Sequence, residues 1–179
     1  VSQSWTKRTV TQFGYELNQV NGYQTNPFLR TSVNGVMTVG NSPDARTRHA
    51  VTARLRQALP GDTFFEADYR RYHDTWSIDS DTYSVGLSHH FGSAVVAGGS
   101  FRHYTQTAAY FYQPSYTGTP TYYTGDFRLF PFDSNSGTGR LEVTPKGGIF
   151  GMPAGTTLTG LALRALASEV EPSHRRMGR

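Results

Sequence analysis

Residues 49–72, HAVTARLRQALPGDTFFEADYRRY, alternate with a period of two on both sides of a turn. In an extended chain His49, Val51, Ala53, Leu55, Gln57 and Leu59 fall on one face, while Ala50, Thr52, Arg54, Arg56 and Ala58 fall on the other. Pro60-Gly61-Asp62 interrupts the run. Beyond it Phe65, Ala67 and Tyr69 share one face, opposite Glu66, Asp68 and Arg70. The pattern is a β-hairpin, and parity selects its register. A two-residue turn, with Leu59 opposite Asp62, sets arginines against apolar residues. A three-residue turn, with Leu59 opposite Thr63, lets Gly61 take the left-handed position. Arg56 then faces Glu66, Arg54 faces Asp68 and Thr52 faces Arg70. Opposite charges directly across a strand pair attract by roughly 0.2–1 kcal/mol each.

The same period continues outward. Thr9, Thr11, Phe13, Tyr15 and Leu17 oppose Val10, Gln12, Gly14, Glu16 and Asn18. Tyr83, Val85, Leu87, His89 and Phe91 oppose Thr82, Ser84, Gly86, Ser88 and His90. Over 94–106, Val95, Ala97, Gly99 and Phe101 oppose Val96, Gly98, Ser100, Arg102 and Tyr104. Weaker runs lie at 122–132, where Asp126 and Arg128 share a face, at 139–150 and at 156–167. The last also fits a helical period through Leu158, Leu161, Ala162 and Ala165. The composition agrees with an all-β chain: 19 Gly, 11 Tyr and 11 Phe, with only 17% charged residues.

About eight strands result, several near ten residues or more. Soluble strands usually have ~5–6 residues, whereas a tilted transmembrane strand needs ~9–11. Long links at 20–44 and 107–121 alternate with tight turns at 60–62 and 92–94, as in membrane barrels. The count of reversals puts the two long loops on one side. The apolar faces are rich in Ala53, Ala67, Tyr69, Ala97 and Gly99, which suit lipid better than the Val, Ile and Leu of a sandwich core. Tyr69, Tyr72, Trp76, Tyr83, Phe91 and Tyr104 lie near strand ends, where interfacial girdles form. The expected fold is an antiparallel membrane-type β-barrel, or a segment of a larger one, in residues 1–167, followed by a polar tail at 168–179.

Several chemistries are disfavoured. The chain has no cysteine, so disulfides, thiolate metal sites and a Cys nucleophile are excluded. Net charge is +4, and the arginines are dispersed rather than gathered in a basic patch, so nucleic acid is not an expected partner. His89 and His90 are adjacent and point to opposite faces of a strand, and the other histidines show no ligand spacing. No nucleophile elbow, phosphate loop or dinucleotide fingerprint is present. No cofactor, metal or catalysis is expected.

A resemblance sharpens this reading. Asn26-Pro27 and Pro43 are followed by Arg46, Arg48, His49 and Ala50; then come Tyr69-Arg70, Tyr72, Asp74, Trp76, Ile78 and Ser80. Phe101-Arg102, Tyr104, Gln106, Phe111-Tyr112, Tyr122, Asp126, Arg128 and Leu129 complete the order. Over residues 10–132 the chain resembles a family of bacterial outer-membrane proteins of unassigned function. The resemblance implies an outer-membrane β-barrel and members longer than this chain. It implies no catalytic residues. The expected partners are outer-membrane lipid and further strands or subunits that complete the barrel.

The expected function is a non-catalytic channel or structural barrel. Its interior residues are Arg54, Arg56, Glu66, Asp68, Arg70, Arg102, Asp126 and Arg128. Two readings of the charged face stay open: a pore lining or ligand site, and an ion-pair ladder filling a narrow barrel. An enzyme acting at the barrel rim and a soluble sandwich binding carbohydrate through the Tyr-rich loop 107–123 are the alternatives.

Overall fold

The computed structural model describes residues 1–144 and the backbone of a strand at 158–167. Its strands are β1 (Ser2–Thr6), β2 (Thr9–Asn21), β3 (Arg30–Val33), β4 (Val36–Val39), β5 (Ala45–Leu59), β6 (Thr63–Asp74), β7 (Asp79–Phe91), β8 (Val95–Gln106), β9 (Phe132–Val143) and β10 (Leu158–Ala167). One antiparallel sheet runs β1-β2-β5-β6-β7-β8-β9, and β10 adds to its β9 edge. Strands β3 and β4 form a separate hairpin. Among the described residues no pairing joins β1 to β10, so the sheet is open and barrel closure is not observed.

The decisive hairpin has the expected register. Leu59 pairs with Thr63, Arg56 with Glu66, Arg54 with Asp68 and Thr52 with Arg70. Gly61 takes φ +73° and Asp62 φ +52°, so the three-residue turn closes with two left-handed residues. The two long loops also lie together at one end. Val33 bridges to Tyr116 and Asn41 to Tyr123, while the turns at 60–62 and 92–94 close the opposite end.

Several strand expectations are corrected. No strand spans 122–132; only its last residue, Phe132, belongs to a strand, β9. There the chain enters a 3-10 turn at Phe127–Leu129, because the Asp126 side chain accepts the Arg128 N–H. Asp126 and Arg128 therefore sit in the loop cap and not on a barrel wall. The strand expected at 139–150 begins earlier, at Phe132, and runs to Val143. Residues 145–150 and the tail 168–179 lie outside the described residues. The segment 158–167 is a strand, which removes the helical alternative.

Among the described residues the buried hydrophobic cluster is not beneath the sheet. Trp76, Ile78, Ala109, Phe111 and Leu129 form it, with Tyr72 and Tyr112 packed alongside. Loop 107–131, the 20–44 segment and the β6–β7 turn thus build a cap over one end of the strands. Tyr116, inside the Tyr-rich loop, is buried and its hydroxyl donates to the Phe111 carbonyl at 2.9 Å. Within the 20–44 link, Asn34 and Gly35 both have positive φ (52° and 80°), the geometry of a two-residue type I′ turn. The Asn34 side chain then exchanges two 2.8 Å hydrogen bonds with the Gly118 backbone, tying the loops together.

Gly125 passes directly against the Arg30 backbone. A Cβ there would lie 2.7 Å from the Arg30 carbonyl carbon, and closer still to its oxygen. Backbone has no rotamer by which to yield, so Gly125→Ala should push the two loops apart. The expected loss is about 1–3 kcal/mol, read as a lower thermal midpoint together with faster proteolysis within 107–131. An unchanged midpoint would show that the loops are not in this contact.

Candidate functional site

Strand parity sorts the sheet into two chemically distinct faces. One carries Gln12, Glu16, Arg46, Arg48, Arg54, Arg56, Glu66, Asp68, Arg70 and Arg102. The predicted residues Arg54, Arg56, Glu66, Asp68, Arg70 and Arg102 therefore do share a face. Arg54 contacts Asp68 directly and lies 3.7 Å from Glu66, while Arg56 reaches Glu66 at 3.2 Å. Arg70 reaches Glu16 at 3.6 Å. Arg102 has no carboxylate partner among the described residues and lies 5.6 Å from the Tyr104 ring centre.

Opposite these long side chains stand small ones. Asp68 pairs with Ser84, Glu66 with Gly86, Ser84 with Arg102 and Gly86 with Ser100. They leave room over β7 and β8 into which guanidinium groups can extend. A cavity of about 440 Å³ on this face is lined jointly by Val10 of β2 and by Thr138 and Arg140 of β9.

The other face is apolar and open. Phe13 is 55% exposed, Leu87 53% and Phe101 49%, with Leu17, Val51, Val85, Phe91 and Leu141 similarly bare. Toward the cap this band ends in rings: Tyr69 lies 5.0 Å from Tyr83, Tyr83 6.5 Å from His103, and the Tyr15 hydroxyl 2.7 Å from His49. Beyond the rings Arg71 pairs with Asp79 and Asp81. At the turn end His89 packs edge-on to Phe91 at 4.4 Å. Of the expected girdle, Tyr69, Tyr83 and Phe91 are on this face. Tyr72 and Tyr104 are instead on the charged face, by parity with Ser80 and Thr82, and Trp76 is in the cap core.

Under the cap lies a second cavity of about 490 Å³, which the sequence reading did not assemble. Arg46, Arg48, Asp126 and Arg128 line it, beside Trp76 and Leu129. Arg46 donates to buried Asp74 through Nε at 2.7 Å and through Nη2, and its guanidinium carbon lies 4.2 Å over the Trp76 ring. Arg128 donates to Asp126 at 2.6–3.2 Å. Burial pushes the Asp126 carboxyl up, but the Arg128 side-chain and backbone donors, with the Arg128 and Arg46 charges, hold it below its ordinary range. Arg46 and Arg48 had a visible signal: they extend the even-numbered arginines of Arg54 and Arg56 back along β5. His73 and Asp74, by contrast, are adjacent on β6 and face opposite sides. Among the described residues no three His, Asp or Glu side chains gather around a metal-sized point.

A family model described as a protein of unknown function, DUF3570, matches residues 1–146. The chain belongs to that family. The match takes in β1 and β9, so it is broader than the 10–132 stretch of the sequence resemblance. No curated protein and no solved structure matches the chain.

Proposed function

We propose that this DUF3570 chain is part of the wall of a bacterial outer-membrane β-barrel. In this reading it serves as a non-catalytic channel or structural component, with its apolar face on lipid and its charged face inward. The observation that carries the proposal is the inverted burial. The sheet leaves one whole face of Phe, Leu and Val half-exposed, while the buried core sits in the loops. Fully burying such a side chain is worth ~1.5–3 kcal/mol, and soluble monomers rarely leave a contiguous patch beyond a few hundred Å². Lipid tails cover such a face without a second protein layer. Strand length supports the reading: β2 and β5 to β9 have 12–15 residues each, enough for a tilted crossing. The aromatic rows at both ends of the apolar band fit the two interfaces.

The open edges complete the argument. Unpaired strand edges are not tolerated in hydrocarbon, so β1 and β10 call for further strands or subunits. The joint lining of one cavity by β2 and β9 fits a sheet curled around its charged face. The test is gel migration of detergent-extracted protein with and without boiling. A closed barrel resists detergent unfolding, so unboiled protein is expected to run apart from boiled protein. Recovery as a monodisperse, detergent-free monomer would overturn the reading.

A further inference from the structure

We propose that the cavity under the cap is a ligand site for a small, hydroxyl-bearing oxyanion, with Arg48 as the residue that meets its carboxylate or phosphate group. The site stands on the cap's own geometry and does not depend on lipid contact. Three arginines line the cavity, and two of them are engaged: Arg46 with Asp74, Arg128 with Asp126. Arg48 has no carboxylate within salt-bridge distance among the described residues, whereas Arg54, Arg56, Arg70, Arg71 and Arg140 each have one. Among the described residues the Arg48 Nε is moreover buried without an acceptor. A buried donor without a partner is unfavourable, and a turn of the guanidinium into the cavity would let an oxyanion pair with it. With Asp74 and Asp126 both counted, the surplus charge around the cavity is the single positive charge of Arg48.

The chemistry of the cavity narrows the ligand. A guanidinium presents a planar fork that fits two oxygens of a carboxylate or phosphate. The amides of Gln24 and Asn26 also line the cavity, and amides donate to and accept from hydroxyl groups; Gln106 lines it too, but its two N–H groups are held by the Arg128 and Phe130 carbonyls. The volume, about 490 Å³, lies within the ~300–1,000 Å³ usual for small-molecule sites. Arg48 also lines a smaller cavity, about 170 Å³, with Glu16, Arg70 and Tyr72. It therefore stands between the cap and the charged face of the sheet.

Trp76 lines the same cavity and supplies the readout. The chain has two tryptophans, and Trp5 on β1 is exposed, so Trp5→Phe leaves Trp76 as the sole reporter. The full chain in detergent is titrated with inorganic phosphate and, separately, with gluconate, at ionic strength held constant with sodium chloride. A saturable change in Trp76 emission is expected, with the apparent Kd raised at least tenfold by Arg48→Gln. Arg48→Lys keeps the charge and loses the fork, and is expected to fall between. Saturation by phosphate alone assigns the anionic group to a phosphate; saturation by gluconate, to a carboxylate. The proposal is overturned if neither probe saturates, or if both variants bind as the parent does. Because boiled and unboiled migration is not the readout, failure here and failure of the membrane reading are distinguishable.

Discussion

Asp74→Ala should destabilise the protein by about 3–5 kcal/mol, the usual consequence of removing one member of a buried ion pair. Asp74 is 1% exposed and serves five donors. Oδ2 accepts from Arg46 Nε at 2.7 Å, from Arg46 Nη2 and from the Tyr72 hydroxyl at 2.6 Å. Oδ1 accepts the backbone N–H groups of Trp76 at 2.9 Å and Ile78 at 3.1 Å. Alanine leaves a largely buried guanidinium over the Trp76 ring with no counter-charge, and two buried N–H groups with no acceptor. Asp74→Asn is the informative companion. It keeps an oxygen for the two N–H groups while removing the charge, so its loss should be smaller than that of alanine. Denaturant unfolding followed by Trp76 emission measures both. A loss below about 1 kcal/mol for Asp74→Ala would mean that the β6–β7 turn is not held by this carboxylate.

The reasons that hairpin 49–72 was legible and the cap was not are physical. The hairpin is local: charges of opposite sign lie on adjacent strands, and only one turn length pairs them. The cap is held by contacts such as Asn34 to Gly118 and Asn41 to Thr121, some 80 residues apart in the chain, and no periodicity reports those. One cap signal was nonetheless present. Val33-Asn34-Gly35-Val36 is a strong two-residue hairpin sequence, and it does form the β3–β4 turn inside a segment that reads as a link. Strand β9 escapes the hydrophobic pattern because both its faces are polar or bare: Asp133, Asn135, Gly137 and Gly139 alternate with Ser134, Ser136, Thr138 and Arg140. The candidate residues divide along the same line. Those on β5, β6 and β8 were readable by parity, whereas Asp126 and Arg128 take their place from a non-repeating loop that Gly125 lets pass close to Arg30.

The apolar face supplies the second large effect, and two neighbouring residues suffice to read it. Val85 is the middle residue of β7, 48% exposed, and pairs with Ala67 on one side and Phe101 on the other. Ser84 precedes it on the opposite face, pairing with Asp68 and Arg102. If lipid covers the apolar face, Val85→Arg places a guanidinium near mid-membrane and should cost about 2–4 kcal/mol. If water covers it, an exposed substitution on a strand is expected to stay within about 0.5 kcal/mol. Ser84→Arg is the matched control. It adds the same side chain to the same strand, but on a face that already holds arginines beside Asp68, and its effect should be small in either environment. Folding yield and unfolding midpoint in detergent or lipid vesicles provide the comparison. Val85→Arg should fall well below Ser84→Arg, with less of the detergent-resistant form that boiling abolishes. Equal behaviour of the two variants would place both faces in water and remove the membrane from the account, while leaving the register of the charged ladder intact.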